Sequence, residues 1–182
     1  MTNGLLPAGS WTIDASRSTV GFAVRHLRVA RVRGRFTAFE GRLDAHGAVR
    51  VAGTVEAASI DTGEPIRDEH LRSAAFFNAV GYPTVRYAAE QATFDGGRLA
   101  GALTIRDVTR PLTLRTTATP GPSASVRITA QGHLSRRDFG LEWDGLIQAG
   151  EVAVSDRVDV LVDVLAVREP ARRLSHDQEL LR

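Results

Sequence analysis

At 182 residues the chain has room for one domain with a substantial buried core. Its 43% hydrophobic and 24% charged residues are those of an ordinary globular protein, and the absence of Cys excludes disulfides, thiol nucleophiles and Cys-ligated metals. All 23 basic residues are Arg, so a net charge of only +2 carries a pI of about 9.9, and Arg alternates with Asp and Glu instead of forming the basic stripe that nucleic acid requires.

The start, "MTNGLLPAGSW", lacks the basic and long apolar regions of a secretory signal. No window approaches the ~20 apolar residues of a membrane span, so a cytoplasmic protein with no transmembrane segment is expected. Period-two alternation follows. "STVGFAVRH" places Val20, Phe22, Val24 and His26 on one face of a strand. Along 31–43 the apolar phase slips from even (Val32, Gly34, Phe36) to odd (Phe39, Gly41, Leu43), which a β-bulge near Thr37–Ala38 would produce. A strand over 49–58 precedes "TGEPIRDEHLRSAAFF", whose spacing is helical. Pro65 suits a first helical turn, Asp68 and Arg72 stand at i and i+4 for pairing, and Ile66, His70, Ala74 and Phe77 share one face. The helix is predicted over about 65–78.

Strands resume at 83–90, at "RLAGALTIR" (Leu99, Gly101, Leu103 and Ile105 in phase) and at 112–119, with turn signals in "DGG" and "TPGPS". "ASVRITAQGHL" aligns Val126, Ile128, Ala130, Gly132 and Leu134. "RVDVLVDVLAV" aligns Val158, Val160, Val162, Val164 and Ala166, leaving Leu161, Leu165 and Val167 outside, either as a surface for a homodimer or because a closing strand under the helix covers them. Eight or more strands at this spacing predict an all-β antiparallel barrel or sandwich over 1–168. Glycines in mid-strand (Gly21, Gly34, Gly53, Gly101, Gly132) mark sharp bends or interior room. The tail over 169–182 carries no strand pattern and is expected to be a frayed end or a short helix.

The motifs of nucleotide, serine-hydrolase and zinc-protease chemistry are absent. "RRDFG" matches part of a kinase signature without the rest of it. Of the five His, only His26 and His70 are placed inward, and none has metal-ligand spacing, so no metal site and no cofactor are expected. Phe22, Val24, Phe36 and Leu103, with Phe76 and Phe77 contributed by the helix, form one apolar surface. Periodicity alone leaves open whether it packs a filled core or borders a cavity.

Several ordered segments resemble the YceI-like family of bacterial polyisoprenoid-binding proteins. They are "WTIDASRSTVGFAVRHL", "VRGRFTAFEGRLD", "SIDTGEPIRDEHLRSAAFFNAVGYPTVRY", "LTIRDVTRPLTL" and "LSRRDFGLEW", together covering roughly 11–168. The resemblance implies a lipocalin-like antiparallel β-barrel of about eight strands, its cavity closed by the short helix. It also implies a non-catalytic protein that sequesters or carries a polyisoprenoid, an isoprenoid quinone or a similar long-chain amphiphile, an activity compatible with transient membrane contact. Phe22, Val24, Phe36, Phe39, Phe76, Phe77 and Leu103 would then line the channel. His26, Arg67, Asp68 and His70 would supply polar contacts, or Arg67 and Asp68 would pair within the protein and hold the helix. The rival readings are an enzyme using His70 and Asp68 on a lipid-like substrate, and a stress or interaction protein with no ligand.

Overall fold

The computed structural model describes residues 6–26, 30–94, 97–142 and 154–170, with His26 described in its backbone alone. The chain runs β1 (Ser10–Ile13), β2 (Thr19–His26), β3 (Ala30–Phe36), β4 (Phe39–Asp44), β5 (Arg50–Glu56), β6 (Ile60–Asp61) and α1 (Pro65–Arg72). It continues with β7 (Thr84–Ala89), β8 (Arg98–Ile105), β9 (Val108–Pro120), β10 (Ser125–Ser135) and β11 (Val154–Arg168). All pairings are antiparallel, and neighbours in sequence are mostly neighbours in space.

Closure comes from β11, whose length lets it pair with two partners in succession. Its first part pairs with β2 (Val158↔Val24 to Asp163↔Thr19) and its last part with β1 (Ala166↔Ile13 to Arg168↔Trp11). β1 and β2 are thus one stave interrupted by a 3-10 turn at Ala15–Arg17. β4 with β3, and β5 with β6, are likewise interrupted staves, since β4 pairs with β1 and β5 while β3 pairs with β2 and β6. Eight staves close the barrel. The predicted phase slip lies at the Thr37–Ala38 break between β3 and β4.

At one end the barrel is a packed core. Trp11, 2% exposed, lies at the seam between Leu43 of β4 and Arg168 of β11, and its indole Nε1–H donates to the Pro7 carbonyl at 3.3 Å. Ala45, Val49, Ala89, Phe94 and Val126 are buried in the same core, each large apolar side chain contributing on the order of 1.5–3 kcal/mol by burial. The opposite end carries α1. The helix is shorter than predicted, ending at Arg72. Ser73 adopts an extended conformation there and donates its N–H to the Glu69 and His70 carbonyls, and its hydroxyl donates to the His70 carbonyl at 2.7 Å. Ala74, assigned to the covered face, is exposed because it lies beyond this stop.

Two further expectations change. Asp68 and Arg72 do not pair, because Asp68 faces Thr62 while Arg72 donates to the Ala58 and Ile60 carbonyls, each at 2.7 Å. Leu165 is buried within the single chain, where its backbone exchanges hydrogen bonds with Asp14 and the Ser18 hydroxyl at the 3-10 interruption. The tail from 171 onward lies outside the described residues.

Candidate functional site

Inward strand faces at the α1 end surround a cavity of about 890 Å3, inside the roughly 300–1,000 Å3 range of small-molecule sites. Val20, Phe22 and Val24 of β2 face it, with Val32 and Phe36 of β3 and Phe39 of β4. Leu103 and Ile105 of β8 and Val158, Val160 and Val162 of β11 complete the wall, and Leu43, Phe94 and Leu99 form its floor over the packed core. A chain of aromatic contacts fixes one side. Phe22 meets Phe36 at 5.9 Å between ring centroids, Phe36 meets Phe77 edge-on at 6.1 Å, and Phe77 meets Phe76 edge-on at 5.1 Å. Such tilted and edge contacts are the favoured aromatic geometry, worth about 0.5–1.5 kcal/mol each beyond burial. They tie the turn after α1 to β2 and β3.

Polar side chains bordering the cavity gather at the lid: Thr62, Glu64, Arg67 and His70 from the 62–70 segment, and Arg136 from the end of β10. Glu40, Arg42 and Arg86 also border it but occupy exposed, outward strand positions. Thr62 organises the lid. Its N–H and hydroxyl both donate to the Asp68 carboxylate, while Arg67 donates Nε–H to the Thr62 hydroxyl oxygen at 2.8 Å and Nη2–H to its carbonyl at 3.1 Å. Asp68 is 5% exposed and lies outside the cavity lining. Just before it, Gly63 N–H and then the Arg35 guanidinium hold the Asp61 carboxyl below its ordinary pKa, anchoring the start of the lid to β3.

Of the residues singled out in the sequence, Phe22, Val24, Phe36, Phe39, Arg67, His70, Phe76, Phe77 and Leu103 border one cavity. Asp68 does not, and the His26 side chain lies outside the described residues. Tyr87 and Arg136 are among the cavity residues that carried no assignment. Tyr87 of β7 crosses the inner wall so that its hydroxyl lies 2.9 Å from the Leu99 carbonyl and 3.1 Å from that of Leu112, and burial pushes its pKa up to about 12. Its inward phase with Val85 was readable from the alternation. Arg136, 5% exposed, donates to the carbonyls of Leu141 at 2.6 Å, Ser155 at 3.2 Å and Val154 at 3.4 Å. The adjacent 3-10 turn Arg137–Phe139 buries Phe139 and ends on Gly140 at φ +66°, where glycine is favoured. Among the described residues no group of three His, Asp or Glu is arranged to hold a metal ion.

The chain is 29% identical to protein YceI of Escherichia coli O157:H7 over 91% of each chain. Among solved structures, BcnA of Burkholderia cenocepacia superposes with a TM-score of 0.74 at 20% identity, over 85% of this chain and 99% of that one. A polyisoprenoid binding domain from Saccharophagus degradans implicated in plant cell wall breakdown superposes at 0.69 with 14% identity, over 87% and 98%. These structural likenesses agree on the barrel. A family model for the YceI-like domain matches residues 11–166, so the chain belongs to the YceI-like family.

Proposed function

We propose that the chain holds a polyisoprenoid or isoprenoid-quinone-like amphiphile in the barrel and sequesters or carries it without turnover. The observation that supports this reading is the apolar cavity of about 890 Å3, whose inward charged groups lie at the lid end. Such an interior suits a molecule with a long hydrocarbon tail and a single polar end. Each methylene removed from water contributes up to about 0.8 kcal/mol, so a few isoprene units supply useful affinity. The similarity to a polyisoprenoid binding domain supports the same class of ligand.

The reading as an acid/base enzyme built on His70 and Asp68 has weaker support, since Asp68 is turned to Thr62 and away from the cavity. A His70→Ala variant distinguishes the two: a carrier retains its lipid, whereas an enzyme built on His70 loses turnover. Native mass spectrometry of protein purified from its own host tests the main reading. A lipid adduct near one per chain is expected, restored after delipidation by added polyprenyl amphiphiles. Purified protein with no adduct and no uptake of such lipids would overturn it.

A further inference from the structure

Five glycines occupy inward strand positions around the barrel: Gly34, Gly41, Gly53, Gly101 and Gly132. Four of them are filled by a neighbour. A Cβ at Gly34 would overlap the Phe22 ring, which lies directly across in the β2–β3 register. At Gly41 it would fall 2.8 Å from Ile13 Cγ1, at Gly101 2.6 Å from the Tyr87 hydroxyl, and at Gly132 2.7 Å from Leu114 Cδ2. Each of these glycines is therefore closed over by a neighbouring side chain, and at Gly101 and Gly132 by a strand carbonyl as well, of Ala88 and Thr113.

Gly53 is different. Its nearest neighbour to such a Cβ is the Glu40 carbonyl oxygen at 3.9 Å. It sits between Val51 and Val55 in β5, opposite Gly41 on one side and Tyr87 on the other, and all four border the cavity. It has no positive φ that would call for glycine. A glycine in mid-strand costs conformational entropy and forgoes side-chain packing, and nothing within the described protein takes up the room it leaves.

We propose that Gly53 is a specificity-determining residue whose empty seat receives a methyl branch of the ligand's tail. The inference rests on the lipid-binding reading and narrows it. A straight alkyl chain has a uniform cross-section and gains little from a recess one side chain wide, whereas a chain bearing methyl branches fills it. Gly53 therefore favours branched, isoprenoid tails over straight ones of the same carbon number.

The test compares the full-length protein with its Gly53→Ala and Gly53→Leu variants. Geranylgeraniol and the straight-chain alcohol of equal carbon number serve as lipid probes, and anilinonaphthalene sulfonate serves as a fluorescent cavity dye. Leu at position 53 is expected to weaken geranylgeraniol binding by at least about tenfold, the scale of a misfit in an apolar pocket, and to weaken the straight chain less. The ligand-free Gly53→Ala protein is expected to melt no lower than the wild type, because its methyl enters open space. Unchanged geranylgeraniol affinity in the Leu variant, equal loss for both lipids, or a lower melting temperature for the Ala variant each overturns the proposal. If the wild type binds neither lipid, the carrier reading fails by itself. Dye binding then decides the seat: a loss of about tenfold in the Leu variant supports it, and unchanged binding overturns it.

Discussion

The Asp68 carboxylate is buried and accepts both the N–H and the hydroxyl of Thr62, and Arg67 closes on the same threonine. Replacing Asp68 with Ala strands those donors away from water, so Asp68→Ala is expected to lower stability by about 1–3 kcal/mol in urea unfolding. An unchanged midpoint and slope would show that Thr62 finds another acceptor. Tyr87 gives a pH signature. Burial raises its pKa from 10.0 to about 12, so between those values the folded protein retains a proton that the unfolded chain has released. The stabilisation is fully present below pH 10 and is lost as pH rises toward 12. Tyr87→Phe should flatten the fall in melting temperature over that window, and an identical fall in the variant would assign it to other groups. Arg136 marks a limit of legibility at this scale. Its motif was visible, but burial of a guanidinium depends on carbonyls of Leu141, Val154 and Ser155 that only the folded loop and β11 bring together.

The lid is held to the barrel by few bonds, and Arg72 supplies two of them through the Ala58 and Ile60 carbonyls. Arg72→Ala is expected to speed hydrogen–deuterium exchange across 65–79 while leaving β8 to β10 unchanged. Uniform acceleration would mean that the helix does not open independently. The strands were legible because one face of each is buried: period two sets the phase, and a one-residue slip would turn every apolar side chain outward. The same logic located the break at Thr37–Ala38. The short β1 carried too few residues to show a period. The helix was overextended because Ala74, Phe76 and Phe77 continue its spacing, yet the Ser73 cap ends it and the phenylalanines reach the cavity from a turn. The Asp68–Arg72 pairing followed from helical spacing alone, whereas the folded chain brings Thr62 to Asp68 and the Ala58 and Ile60 carbonyls to Arg72.

For the molecule as a whole, a ligand held in the cavity is linked to folding. A lipid at about 100 times its Kd adds about 2.7 kcal/mol to stability. Delipidated protein should therefore melt lower than protein reloaded with a polyprenyl amphiphile. Equal melting temperatures at saturating lipid would contradict binding inside the fold. The antiparallel strands follow from the sequence pattern, but closure and cavity do not, since the same alternation fits a barrel or a sandwich and a filled or an open interior, and only the lengths and breaks of the staves decide. The seam where Trp11 pairs with Arg168 has a kinetic meaning as well. It joins the first described strand to the last, so the chain through Arg168 must leave the ribosome before β1 and β2 find β11. Until then β2 and β11 present unpaired edges open to other chains. Contacts so distant in sequence place refolding in the slow range of milliseconds to seconds. With Trp143 replaced by Phe, Trp11 becomes the sole indole, and its fluorescence change should report zipping of the seam as the final phase.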